Sequence, residues 1–397
     1  MEPKIRYNGY IKEWDNVCLN DIVSTAGVKN RENLPLVSFS ITNDQGFIPQ
    51  DDKFENGGTM RDANKSMYYI VSPKTFAYNP ARINVGSIGY YDLEKNVIIS
   101  SLYVVFKTDQ EKCDDYYFLQ WFKSDKFKRL IEQYQEGGVR LYFFYDKLCK
   151  CHIHIPSKEE QHKISSYFKV FDAKLQASVK KVESLKKLKS ASLVAMFPQN
   201  GESTPKVRFK GFEGEWDKQS ASDLFLTIDE RNRPELPVLS ACQDVRGMIP
   251  REKIGFNVSH DTSNEVTYKR VQPGQFVIHL RSFQGGFAHS SYDGIISPAY
   301  TVFDFKDKER HDDYYWKIVF MSRAFIDRLR LITYGIRDGR SISFNEFKEL
   351  SFQFPSKDEQ HAIATFFRSL DRKIALETAR LEKLKQIKLA CLDKMFV

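Results

Sequence analysis

The chain is written twice. PSKEEQHKISSYF at residues 156–168 returns as PSKDEQHAIATFF at 355–367, and PKIRYNGYIKEWD at 3–15 returns as PKVRFKGFEGEWD at 205–217. Between these anchors Tyr68, Val71, Pro73 and Phe76 match Tyr268, Val271, Pro273 and Phe276, and VIISSLYVVF at 97–106 answers GIISPAYTVF at 294–303. The offset drifts between 197 and 202, as small loop insertions inside a duplicated unit would make it do. Two repeats of this length are too few and too long for a solenoid, so each copy must bury a core of its own. A length of 397 residues with 42% hydrophobic content is enough for two such cores.

Each copy ends in a helix whose start is marked. Ser157 with Glu160 and Ser356 with Glu359, each just after a proline, fit a capping box. Apolar residues then recur at spacings of three and four. In the first helix they are Ile164, Phe168, Phe171, Leu175, Val179, Val182, Leu185, Leu188 and Met196; in the second Ile363, Phe367, Leu370, Ile374, Leu381, Leu384, Ile387 and Met395. A stripe this narrow on a charged helix of about 40 residues is the sequence form of a coiled coil, and each helix is the other's natural partner.

The preceding segments carry short β-rich runs broken by Gly, Pro and Asn, with a helical piece such as DDYYFLQWFKSDKFKRLIEQY at 114–134. The expected fold class is therefore α/β: two tandem domains with mostly β cores, each followed by a long helix. The expected division is 1–156 for the first domain, 157–197 for its helix, 198–204 for a linker, 205–355 for the second domain and 356–397 for its helix. FPQNGESTP at 197–205 supplies the polar, Gly- and Pro-punctuated connection.

The net charge of +8 lies on the helices: residues 157–197 hold nine Lys against four acids, and 356–397 hold nine Lys or Arg against six. The globular parts are balanced, so a surface there for a polyanion must come from local segregation of charge. No run of about 18 apolar residues occurs, and MEPKIRYNGYIKEW lacks the apolar centre of a signal peptide, so a cytoplasmic protein is expected. The six scattered cysteines show no disulfide framework.

CKCHIHIP at 149–156 puts two cysteines and two histidines within six positions and raises the question of zinc. Read as a strand, it sets Cys149, Cys151, Ile153 and Ile155 on one face and Lys150, His152 and His154 on the other. The sulfurs then lie with the isoleucines, as small hydrophobes. The second copy reads KELSFQFP at 348–355, keeping the alternation without the ligands, so no metal is required.

Catalytic signatures are missing as well. No GxxxxGK[ST] loop and no glycine-rich cofactor loop occurs, and Asn79-Pro80-Ala81-Arg82 lacks the second proline and the aromatic of the amino-methyltransferase motif. His162 and His361 recur without a nucleophile or paired acid repeated beside them, which favours a structural role at the helix entry. Asp51-Asp52-Lys53 has no counterpart in the second copy and reads as a solvated loop.

Two variable domains, each followed by a near-identical helix entered through PSK[ED]EQH, with PK[IV]R[YF]xG[YF]xxxWD openings and YxxVxPxxF segments, closely resemble the specificity subunit of type I restriction-modification systems. The resemblance covers essentially the whole chain. It implies two target-recognition domains that each read one half of a bipartite double-stranded DNA target, and two helices that pair antiparallel. It further implies no cofactor and no activity for this chain, and no membrane. Its partners would be modification subunits, two of them, which methylate adenine at N6 with S-adenosylmethionine, and restriction subunits that translocate and cut DNA with ATP.

Side chains suited to base edges lie mid-domain: Asn79, Arg82 and Asn84 in the first copy, and His279, Arg281 and Gln284 at the equivalent place in the second. Arg suits guanine and Asn or Gln suits adenine in the major groove, although many such residues only touch phosphate or close loops. Arg82 and Arg281 lead this set. Two other readings stay open, a coiled-coil interaction scaffold that reads no DNA and an autonomous DNA methyltransferase or nuclease.

Overall fold

The computed structural model describes residues 2–50, 64–199, 202–242, 247–254, 262–279, 286–332 and 342–397. Asp51-Asp52-Lys53 lies outside them. The chain forms two compact units, Met1–Lys180 with Thr378–Val397, and Lys181–Glu377.

In the first unit the strands are β1 (Asp15–Cys18), β2 (Val23–Thr25), β3 (Val28–Lys29), β4 (Ser38–Thr42), β5 (Gly46–Pro49), β6 (Tyr69–Val71), β7 (Thr75–Tyr78), β8 (Ile88–Tyr91), β9 (Val97–Ile99) and β10 (Val104–Thr108). Helices α1 (Asp115–Phe122), α2 (Asp125–Tyr134) and α3 (Tyr145–Lys150) follow, then β11 (His152–Ile155) and the long α4 (Lys158–Ala195). One sheet has the order β2-β10-β7-β8, a second β3-β6-β9-β4-β5, and β1 pairs with β11 alone. Most pairings are antiparallel, but β4 runs parallel to β9, with Ser38 opposite Ile98.

The YxxVxPxxF segment spans two cores. Val71 closes β6 within a small core with Phe39, Ile99 and Val105, while Phe76 in β7 enters a larger aromatic one. There Phe76 stacks on Phe106 at 5.2 Å and meets Phe118 edge-on at 5.8 Å, geometries that aromatic quadrupoles favour. The second copy repeats the device, with Val271 in the smaller core and Phe276 in the larger.

The second unit contains β12 (Asp217–Ser220), the single turn α5 (Ala221–Leu224), β13 (Phe225–Ile228), β14 (Leu239–Cys242), β15 (Gly247–Pro250), β16 (Lys269–Val271), β17 (Phe276–Ile278), β18 (Phe287–Ser290), β19 (Gly294–Ile296) and β20 (Thr301–Phe305). It continues with α6 (Asp313–Met321), α7 (Arg323–Ile332), α8 (Phe344–Lys348), β21 (Ser351–Phe354) and α9 (Lys357–Met395). Here β15 pairs parallel to β18, giving one six-stranded sheet, β13-β20-β17-β18-β15-β14.

The duplicated motifs meet in a clamp at each helix entry. Ser157 Oγ accepts the Glu160 N–H at 3.4 Å, but the Glu160 carboxylate does not turn back to close a capping box. It is 1% exposed and receives Arg6 of the opening motif in a fork, Nε at 2.9 Å and Nη2 at 3.0 Å. Arg208 holds Glu359 in the same way, at 2.9 and 2.6 Å. A buried carboxylate gains more from a bidentate guanidinium than from one backbone N–H, which explains the departure from the expected box. Gln161 accepts the Asp114 N–H and donates to the Lys112 and Pro156 carbonyls, and Gln360 does likewise with Asp312, Arg310 and Pro355. His162 and His361 place Nδ1 at 2.9 and 3.0 Å from Asp114 and Asp312, the residues that cap α1 and α6.

Within the first unit Tyr167 Oη lies 3.3 Å from Cys391 Sγ, and Lys388 pairs with Asp172. Within the second, Lys181 pairs with Glu377 and Lys189 with Asp371. Partner numbers fall as the others rise, so α4 and α9 segments pair antiparallel in each unit. The two helix ends also change places. Met395 and Phe396 enter the first unit's core, with Phe396 5.2 Å from Tyr117, and Met196 and Phe197 pack in the second, with Phe197 5.7 Å from Tyr315.

Three expectations need correction. Cys149 belongs to α3, and the alternation begins only at buried Cys151, because β11 starts at His152. The piece 114–134 is two helices, broken at Lys123-Ser124, where the buried Ser124 hydroxyl bonds the Trp121 carbonyl. On the seam, Val179, Leu188 and Ile387 are exposed, while Ser178 is buried.

Candidate nucleic-acid interface

The first copy's three candidates lie in the loop joining β7 to β8. Asn79 leaves the strand with its N–H on the Ser87 carbonyl at 3.1 Å, and its Oδ1 accepts the Ala81 N–H at 3.0 Å. This local turn uses one lone pair of the acceptor that an adenine contact would need and fixes its direction. Residues Ile83–Val85 then form one 3-10 turn, closed by Gly86 at φ 89°, a left-handed value that glycine adopts without strain. Arg82 and Asn84 are exposed on this turn, and the Arg82 guanidinium makes no ion pair among the described residues.

In the second copy His279 follows β17, with its N–H on the Gly286 carbonyl at 2.9 Å. Its side chain is buried, its ring 6.1 Å from that of Tyr300. Arg281 and Gln284 lie outside the described residues. The structure thus brings Asn79, Arg82 and Asn84 into one loop and leaves His279 buried at the end of β17.

A neighbouring element was missed by sequence reasoning. Glu136 and Tyr142 exchange backbone hydrogen bonds at 2.9 and 2.8 Å, closing a hairpin over Gly137–Leu141. Gly137 has φ +136°, and a Cβ there would lie 2.1 Å from the Arg140 carbonyl oxygen, so only glycine fits. Val139 at the tip is fully exposed and Arg140 stands beside it. The Phe143 N–H donates to the Pro80 carbonyl at 3.0 Å, which ties the hairpin to the Asn79 turn. A signal existed: Gly138-Val139-Arg140 recurs as Gly335-Ile336-Arg337, outside the described residues.

Three arginines of the second unit are already neutralised. Arg270 forks onto Asp293 at 2.9 and 2.7 Å and reaches Glu230 at 2.9 Å, while Arg233 and Arg231 pair with Glu235 and Asp229. Arg82 and Arg140 differ from these in having no such acid, the condition for a cation to meet phosphate or guanine. Among the described residues no three His, Cys, Asp or Glu side chains form a metal-binding group, and no helix is long and apolar enough to cross a membrane.

Comparison with known proteins gives a consistent picture. Residues 11–187 and 215–386 each match the model of the type I restriction modification DNA specificity domain. The fold is similar to the S subunit of a type I restriction-modification system from M. genitalium, at 14% identity and a TM-score of 0.61, covering 100% of this chain and 99% of that one. It is similar also to a chain from a structure concerned with complex assembly and conformational transition of the type I R-M system, at 14% identity and a TM-score of 0.53, covering 98% and 99%. No curated protein sequence gives a significant match.

Proposed function

The chain belongs to the type I restriction modification DNA specificity family, and from that premise we propose that it reads an asymmetric bipartite DNA target and directs partner subunits to it. Residues 1–156 and 205–355 serve as the two readers, and 157–197 and 356–397 as the helices that carry them. The chain supplies no catalysis: modification subunits methylate adenine at N6, and restriction subunits cleave with ATP. One observation supports this reading above others. The two units share the same Arg–Glu, Gln and His–Asp clamps yet differ in sequence over 79–87 and 279–286. A constant frame with divergent loops is what two readers of different half-sites need. In the first reader Arg82 and Arg140 face DNA, Arg82 toward base edges.

Mapping methylated adenines in host DNA with and without this gene tests the proposal. A bipartite methylated sequence that vanishes with the gene is the expected result. Exchanging residues 3–156 for a relative's domain should then change one half of that sequence only. Loss of the gene without any change in methylation would leave the scaffold reading in its place.

A further inference from the structure

Beside the 79–87 loop the first unit contains a cleft of about 550 Å³. Its polar lining is Lys123, Lys128, Lys385, Lys388, Asn43 and Asn84, and no carboxylate lines it. Burial, with the neighbouring charge of Lys388, pulls the Lys123 ammonium down to about 8.

Asp172 attracts Lys123, but its hydrogen bonds go to other groups. Asp172 receives Lys388 on Oδ1, and on Oδ2 Tyr116 Oη at 2.6 Å and Gln120 Nε2 at 3.3 Å. Lys128 pairs with Asp125 at 2.7 Å and Lys385 with Glu382 at 2.8 Å, but these are exposed pairs, which hold a side chain only weakly. Lys123 makes no side-chain hydrogen bond among the described residues. A largely buried amine without an acceptor opposes folding.

The scaffold does not demand a lysine at these two positions, although the second unit has Lys317 four residues before Met321, near its own Asp371 and Lys189. The second unit builds the same chain of groups from Tyr314, Asp371 and Lys189, yet has Met321 and Ile326 where the first has Lys123 and Lys128. A group that opposes folding, faces a cleft and is replaced by an apolar residue at the same position of a sister copy marks a binding site. Ammonium and amide donors facing a concavity without acids suit an oxyanion.

We propose that this cleft is a phosphate-binding site private to the first unit, with Lys123 and Lys128 as its distinguishing ligands. The phosphate can come from the DNA backbone beside the 79–87 loop or from a free phosphate-bearing molecule. Only the first source rests on the DNA-reading proposal.

The test replaces both lysines by the sister copy's residues, Lys123→Met with Lys128→Ile, in the full chain, with Lys123→Gln as a milder second variant. Calorimetric titration with inorganic tripolyphosphate reads the free source. Binding by the wild type that weakens about tenfold or more in either folded variant establishes the site with that source. The DNA source is read in the complex assembled with modification subunits, on a duplex carrying the mapped target. There the double variant should lose affinity evenly across sequences and its salt dependence should become shallower by about one. Folded variants that change neither reading overturn the proposal, as does a change in which bases are methylated. A wild-type complex that binds no target removes the DNA-reading proposal, while the tripolyphosphate titration still decides this one.

Discussion

Asn79 and Arg82 stand three positions apart and differ in what they have left to offer a ligand. Asn79 Oδ1 holds the Ala81 N–H, so Asn79→Ala should loosen the loop and lower stability by about 1 kcal/mol, as a melting curve would show. Arg82→Ala should leave melting unchanged and weaken one position of one half-site by roughly 1–3 kcal/mol, if the guanidinium bridges a guanine. An even loss across sequences would reassign it to phosphate. The sequence shows residue types suited to base edges, but not which atoms the fold has already engaged. His311 carries a second residue-scale expectation. It is stacked on Phe305 at 4.8 Å and meets Trp316 and Phe354, and burial pulls its pKa from 6.5 down to about 4, with Arg310 adding to the effect. Between these values the unfolded chain binds a proton that the folded one refuses, so stability is full above about 6.5 and falls as the pH drops toward about 4. Cys113 fills the equivalent place in the first copy, so His311→Cys should flatten the fall in melting temperature over this range. An unchanged slope would show that other groups drive the acid response.

At the scale of elements, periodicity gave the long helices and alternation gave β11, because both patterns follow from which face meets the core. Their limits were less legible. The capping-box pattern at 157–160 is also compatible with a glutamate turned outward, and only the fold brings Arg6 within reach of Glu160. The seam's phase shifted for a similar reason. An apolar scan prefers Val179 to Ser178, yet spacings of three and four from Ile164 through Leu175 lead to Ser178 and Val182, and those are buried. A polar seam position weakens a helix pair while fixing its register. The contrast gives a measurement with an internal control. Val182→Ala, at 6% exposure, should cost about 2 kcal/mol of unfolding free energy, counting two buried methyl groups and the space they leave. Val179→Ala, at 37%, should stay within about 0.5 kcal/mol. Equal costs in chemical denaturation would restore the seam read from sequence.

For the molecule as a whole, the repeated Met-Phe at 196–197 and 395–396 was visible as part of the duplication, but its destination was not, since nothing local says which core a helix end enters. Each unit is completed by the end of the other copy's helix. The backbone repeats the exchange: the Val207 N–H donates to the Ala195 carbonyl at 2.9 Å in the second unit, and the Ile5 N–H to the Lys394 carbonyl at 3.0 Å in the first. Linker 198–204 bridges the former pair covalently, whereas the latter is held by the fold alone. A segment copying 199–203 should therefore bridge residues 397 and 2 without strain. Chain opened within 198–204 and joined in this way should keep both units, melt near the parent temperature and support the same methylation pattern. Opening the linker without the new joint severs the only covalent path between the two copies, so association becomes concentration-dependent and the melting temperature should rise with protein concentration. A joined variant that still shows that dependence would mean the new connection distorts the Ile5–Lys394 contact, and the equivalence of the two junctions would have to be given up.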